Sequence, residues 1–143
     1  MIPIEERFSA ALHHAARAWR QGIDARLKDL GVGQAGWMAI AVISKSAAPP
    51  SQKELADQLG VEGSSVVATI DRLVAAGLVK RMPSELDRRV KLVLLTPAGE
   101  VLLAKVKKEA EAFRHETLSD IDQDMLRTAT EMLEALRARI ERP

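Results

Sequence analysis

The chain contains no cysteine, which excludes disulfides, thiolate nucleophiles, cysteine-ligated zinc and any sensing by thiol oxidation. It has no apolar run of bilayer length and no charged-then-apolar leader before a small-residue cleavage site, so a cytoplasmic location is expected. Aromatic residues make up only 3% of it, against 47% hydrophobic and 29% charged residues, a balance that fits a soluble, helix-rich globular protein. An excess of either charge is also missing. The 21 basic and 20 acidic side chains leave a net charge of +1, so only the placement of charge bears on a nucleic-acid partner. Catalytic signatures are absent: there is no nucleophile–base motif, glycine-rich phosphate loop or paired-carboxylate pattern. His13 and His14 point to different faces of a helix and His115 lies far away in sequence, which is poor spacing for a metal. The expectation is a non-enzyme with no metal and no cofactor.

What is present is helical periodicity. Phe8, Leu12, Ala15 or Ala16, Trp19, Ile23, Leu27 and Leu30 recur every three or four residues, predicting one long amphipathic helix with Pro3 in its first turn and Gly31 and Gly33 at its end. Ala35 to Ile43 is apolar nearly all round and reads as a short buried helix, followed by an Ala47-Ala48-Pro49-Pro50 linker. Near the far end, Ser119 with Asp122 suggests a capping box. From there Ile121, Met125, Ala129, Met132, Leu136 and Ile140 keep helical register almost to the C-terminus. The apolar stripes on these terminal helices are too long for so short a middle segment to cover, which predicts a homodimer.

Between them lies a pattern of short elements. Ser51-Gln52-Lys53-Glu54 has the form of a capping box, Leu55, Ala56 and Leu59 give an apolar face, and Gly60 can stop the helix in a left-handed conformation. A second helix begins near Ser64 and is expected to carry Val66, Val67, Ile70, Leu73 and Val74 inward until Gly77. Two short helices across a turn of about three residues have helix-turn-helix spacing, and Ala56, Gly60, Leu55, Leu59, Val61 and Val66 fall where the crossing needs small or apolar residues. An ordinary helical hairpin would share that pattern, but the segment after Gly77 does not fit one. Leu78 to Met82 is strand-like, Pro83 to Asp87 is turn-rich and Val90 to Leu95 is β-branched and apolar, which predicts a β-hairpin wing. Thr96-Pro97 then starts a long helix carrying Leu102, Val106, Ala110 and Phe113.

Positive charge gathers on the wing. Lys80, Arg81, Arg88, Arg89 and Lys91 face only Glu85 and Asp87. Asp87 at the tip is placed to hold a guanidinium extended, and an extended arginine suits a narrow, electronegative minor groove. Arg89 is expected to reach that groove with Asp87 orienting it, while Arg88 braces the wing or touches phosphate.

Gly77-Leu78-Val79-Lys80-Arg81, Asp87-Arg88-Arg89 and Leu95-Thr96-Pro97-Ala98-Gly99 resemble the wing signature of the MarR family, G-L-(I/V)-x-R, D-R-R and L-T-x-x-G. The resemblance covers essentially the whole chain. Arg17-Ala18-Trp19-Arg20, Ile23 to Lys28 and Trp37 are similar to the SlyA-like subgroup. It implies a mainly α fold with a small β-hairpin, a winged helix-turn-helix over 34–97 flanked by dimerisation helices at 1–33 and 98–143, forming one compact domain overall. It further implies a triangular homodimer on pseudo-palindromic double-stranded DNA, acting as a repressor or less often an activator. The recognition helix would present Ser64, Ser65, Val67, Ala68 and Thr69 to the major groove, while Ser51 and Gln52, at the start of the helix before it, would contact the DNA backbone. Ala68 stands where family members often carry arginine, so direct base readout is expected to be thin. Arg17, Arg20 and Trp37 match the place where the subgroup accepts an aromatic carboxylate, although paired arginines also suit a solvated face and Trp37 a core position. The competing reading is a winged-helix protein-interaction module without operator binding.

Overall fold

The computed structural model, which describes residues 1–142, contains six α-helices and one two-stranded antiparallel sheet among those residues. Helix α1 spans Ile4–Leu27, with Pro3 as its N-cap and Glu5 and Glu6 in its first turn, where carboxylates complement the helix dipole. The sequence pattern carries this helix to Leu30, but its end tightens into a 3-10 turn at Lys28–Leu30, and the Gly31 N–H donates to the Lys28 carbonyl. Such tightening satisfies carbonyls that have no partner four residues on. Helix α2 (Gly33–Lys45) buries Trp37, Ala39, Ile40 and Ile43.

The residues between α2 and the next helix do more than link. The Pro50 carbonyl accepts from the Val93 N–H at 2.9 Å, and Ser51 bridges Leu92. In a two-stranded hairpin an outward N–H needs an acceptor, and the end of the linker supplies it. The capping box forms as expected: Ser51 Oγ accepts from the Glu54 N–H at 3.0 Å, and the Ser51 N–H donates to Glu54 Oε1 at 3.3 Å. Helix α3 (Gln52–Leu59) then ends at Gly60, whose φ of 67° is the left-handed region that favours glycine. After the turn of Gly60, Val61 and Glu62, helix α4 runs Gly63–Ala75.

Val66, Ile70 and Leu73 of α4 face the core as expected, but Val67 and Val74 are exposed and Thr69 takes an inward place instead. The inward stripe is 66, 69, 70 and 73, the i, i+3, i+4, i+7 face of a helix, and 67 and 74 lie off it. Val61 is likewise exposed, leaving Leu55, Ala56 and Val66 to lock the helix pair. Strands β1 (Val79–Pro83) and β2 (Lys91–Leu95) pair in register from Val79 opposite Leu95 to Pro83 opposite Lys91. Leu27, Ile40, Leu55, Val66, Ile70 and Val93 are the innermost large side chains, so the core lies under the helix-turn-helix and wing.

Helix α5 (Pro97–Leu118) opens as predicted. Thr96 Oγ1 accepts from the Gly99 N–H at 3.1 Å and donates to the Gly77 carbonyl at 2.6 Å. Gly99 lies so close beneath the Leu78 carbonyl that an added Cβ would collide with that backbone. Gly99→Ala should therefore push α5 off the wing root and destabilise by about 1–3 kcal/mol, a fall in melting temperature of roughly 3–10 °C. Thermal unfolding followed by circular dichroism checks this, and an unchanged melting temperature would show that the contact is soft.

The chain divides into two compact units, residues 1–111 and residues from 112 onward. The second holds helix α6 (Gln123–Ile140). Its cap is not the Ser119–Asp122 box: Asp122 is itself the N-cap and accepts from the Asp124 and Met125 N–H groups at 2.7 and 3.3 Å. A carboxylate at this position is a strong cap in its own right, and Ser119 belongs to the end of the preceding helix, its N–H donating to the His115 carbonyl. No described residue of α6 is buried, and Met125, Met132, Leu133 and Ile140 are exposed. Among the described residues no helix is long and apolar enough to cross a membrane.

Candidate nucleic-acid interface

Two features face outward from the same core: the uncovered side of α4 and the tip of the wing. On α4, Ser64, Ser65, Val67 and Ala68 are exposed. Small hydroxyls, a valine and an alanine leave a smooth surface that lets backbone approach closely and offers methyl groups to thymine. Thr69 does not belong to it. It is 7% exposed, its Oγ1 donates to the Ser65 carbonyl at 3.0 Å, and it accepts from Arg72 Nη2 at 3.3 Å, so the hydroxyl expected at a base edge is held inside. The same face carries a residue that motif reading missed. Ser65, Ala68 and Arg72 are spaced i, i+3, i+7, and Arg72 is exposed one turn beyond Ala68. A helical wheel drawn past Thr69 would have found it.

At the wing, the loop from Ser84 to Val90 is tied by its own hydrogen bonds. The Ser84 N–H donates to the Val90 carbonyl at 2.8 Å and the Val90 N–H to the Asp87 carbonyl at 2.9 Å. Asp87 and Arg89 form the expected clip: Arg89 Nε reaches Asp87 Oδ1 at 3.1 Å, Nη2 reaches Oδ2 at 3.2 Å, and the Arg89 N–H also donates to Oδ1 at 3.1 Å. The clip leaves the Arg89 side chain 91% exposed, held but not covered. Hydrogen bonds from the Arg89 side chain, then from its backbone, hold the Asp87 carboxyl below the usual carboxylate range. A carboxylate with a lowered pKa keeps its pairing above that range and loses it only as pH falls through the depressed value. The Asp87 carboxylate is thus ionised near neutrality. Arg88 and Lys91 are exposed beside it, and so is Lys80.

Arg81 differs from the other wing cations. Its guanidinium donates to Gln52 Oε1 at 2.7 Å, Asp71 Oδ1 at 2.7 Å and the Val67 carbonyl at 3.4 Å. The charge pattern counted it among the basic residues gathered on the wing, and sequence spacing gave no sign of partners ten to twenty-nine positions away. Ser51 and Gln52 are also more engaged than expected. The Ser51 hydroxyl is buried in the α3 cap, which corrects its assignment to the DNA backbone, and Gln52 is half-buried with its carbonyl on Arg81.

The residues read as a ligand site are not gathered around an open ring surface. Arg17 and Arg20 are exposed on α1, whereas Trp37 is 9% exposed and its Nε1 donates to Asp24 Oδ1 at 3.1 Å. An apolar ring in the second helix packs inward when that helix is covered on most sides, so Trp37 is a core residue. Among the described residues no group of three or more His, Asp or Glu side chains is placed to hold a metal.

A helix-turn-helix whose exposed second helix stands beside a basic β-hairpin defines the winged helix-turn-helix class of DNA-binding proteins. The MarR family model matches residues 30–90. The chain is 35% identical to transcriptional regulator PA3341, with a TM-score of 0.86 covering 94% of this chain and 98% of that one. It shares the fold of a MarR variant from E. coli complexed with operator DNA, at 23% identity and a TM-score of 0.81 over 91% of this chain and 93% of that one. It also shares the fold of CouR from Rhodococcus jostii RHA1 bound to p-coumaroyl-CoA, at 20% identity and a TM-score of 0.81 over 95% of each chain. The protein belongs to the MarR family of winged-helix, DNA-binding transcription regulators.

Proposed function

We propose that this regulator is a cytoplasmic, SlyA-like homodimeric repressor that binds pseudo-palindromic promoter sites and releases them on binding a small aromatic anion. The observation that carries the DNA reading is the Asp87–Arg89 clip, a bidentate pair displaying a 91% exposed guanidinium at the end of a hairpin. An exposed ion pair contributes little to stability. An arginine pre-extended for a minor groove contributes to recognition instead. In this reading Ser64, Ser65, Val67 and Ala68 enter the major groove, Arg72 lies along the same face, and Arg88 touches phosphate. With Ala68 in place of an arginine, specificity leans on methyl contacts and on groove shape. Segments 1–33 and 98–143 supply the dimer, because the stripes on α1 and α6 expose Ile4, Leu12, Met125, Met132 and Ile140.

Titrating the protein against duplexes from promoters neighbouring its gene, with random duplex as competitor, tests this. Specific binding should survive competitor and fall steeply with salt, since several phosphates are neutralised per dimer. A docking module without operator binding would give only competitor-sensitive association.

The effector reading rests on Arg17 and Arg20, two exposed guanidinium groups three positions apart on one helix, suited to a carboxylate. The fold-sharing CouR, bound to an aromatic acyl thioester, makes an aromatic ligand a reasonable class. With Trp37 buried, the ring must rest on other apolar groups, and Trp37 and Trp19 act as reporters. A ligand of this class should weaken operator binding by about 5–150-fold, the usual range of allosteric coupling, and an Arg17→Ala, Arg20→Ala double variant should lose the response. Release that is unchanged in the double variant would remove this site, and a full set of aromatic carboxylates without effect at millimolar concentration would remove the class.

A further inference from the structure

We infer that Arg81 is a positioning residue that fixes the angle between the wing and the recognition helix, and that Asp71 is its partner in this task. The inference rests on the DNA-binding reading above. Arg81 lies in the middle of β1, opposite Val93, which is fully buried and bonded to the Pro50 carbonyl. From there its guanidinium reaches both helices of the motif. Nε meets Gln52, the first residue of α3, while Nη2 meets Asp71 and the Val67 carbonyl, one turn apart on α4. The guanidinium is a rigid planar fork, so 2.7 Å bonds from two of its nitrogens to two different helices set a direction as well as a distance. The side chain is 27% exposed, in contrast to 91% for Arg89.

The length of the wing makes this angle matter. From Arg81 to its tip the wing extends by about 3.3 Å per residue. A slack of about 15° at Arg81 would therefore swing the tip by roughly 4 Å over five residues. That displacement is larger than a hydrogen bond, so Arg89 and α4 could not engage their two grooves in one register. Stability is not what the clamp supplies, because Asp71 is 59% exposed and an ion pair this open adds little to folding.

Asp71 gives a test in which positioning and simple electrostatics have opposite signs. Asp71→Asn removes a negative charge from the helix that faces DNA. If charge alone governed binding, the variant would bind more tightly. If the clamp positions the wing, it should bind about 5–10-fold more weakly with an unchanged melting temperature. Arg81→Gln should weaken binding about tenfold without changing the slope of log affinity against log salt, whereas Arg89→Ala should lower that slope. Arg81→Lys keeps the charge but not the fork and should stay weak. The Asp71→Asn, Arg81→Gln pair should be no worse than Arg81→Gln alone, the mark of two residues acting as one unit. If Arg81→Gln fails to fold, the exposed Asp71 site carries the test by itself. Amide hydrogen exchange over residues 84–90 of the free protein separates the two claims, since it needs no DNA. Faster wing exchange in Asp71→Asn, from a wild type that binds no duplex specifically, would sustain the clamp and remove the DNA reading. Wild-type exchange together with equal or tighter operator binding by Asp71→Asn would overturn the inference, as would a salt slope lowered by Arg81→Gln as much as by Arg89→Ala.

Discussion

Placing glutamate at both Met125 and Met132 should convert a stable dimer into a folded monomer and abolish operator binding at nanomolar protein. Both side chains are exposed on α6, and no described residue of that helix is buried, so the changes leave the core of the chain untouched. In the proposed dimer they lie on the stripe that also includes Ala129, Leu136 and Ile140. Each lost methionine removes about 1.5–3 kcal/mol of apolar burial, and the symmetry of a dimer doubles the loss. Burying carboxylates without partners adds to it. The dissociation constant should therefore rise at least about a thousandfold. Sedimentation equilibrium reads this directly. A wild type that is monomeric at low micromolar concentration, or a variant that stays dimeric, would show that the stripe serves another purpose.

Arg89→Ala should weaken operator binding by roughly 5–150-fold, the equivalent of about 1–3 kcal/mol for one well-placed arginine contact, while the dimer and the melting temperature stay unchanged. The slope of affinity against salt should also become shallower, because one fewer cation is engaged with the DNA. Asp87→Asn should have a smaller effect in the same direction: it breaks the bidentate clip but leaves the guanidinium in place. Since the Asp87 carboxyl is held below the usual carboxylate range, wild-type binding should show no titration of this carboxyl between about pH 5 and 8, and the Asn variant reproduces the protonated state. Anisotropy titrations at several salt concentrations and pH values check these binding predictions. Wild-type affinity in Arg89→Ala across that series would remove the wing from the interface.

Much of this was legible in the chain because the signals are local. The Ser51–Glu54 capping box, the Gly60 stop, the Thr96 cap and the Asp87–Arg89 clip each connect residues within three positions of one another, and all four form as read. Misreadings arose where local patterns compete. Val67 and Thr69 are both β-branched, and hydropathy favours the valine inside, but the helical period places Thr69 there and lets its hydroxyl bond to the Ser65 carbonyl. Ser119 and Asp122 have the spacing of a box, yet Asp122 caps alone. What could not be read was nonlocal. The Pro50–Val93 bond joins positions 43 apart, and the Arg81 clamp joins β1 to α3 and α4, so an arginine that looks like a DNA contact by charge is an internal tie by geometry. For Trp37 the sequence left two readings, a ring platform near two arginines or a place in the buried second helix, and its burial with Nε1 on Asp24 decides for the core.

The central claim is that a two-fold dimer reads DNA with α4 and the wing, and selection of bound sequences from a random duplex library tests it most directly. The account predicts enrichment of an inverted repeat whose half-sites are centred about one helical turn apart, roughly 10 base pairs, flanked by A·T-rich positions where Arg89 meets a narrow minor groove. Enrichment of an asymmetric site, or none above the unselected library, would contradict it.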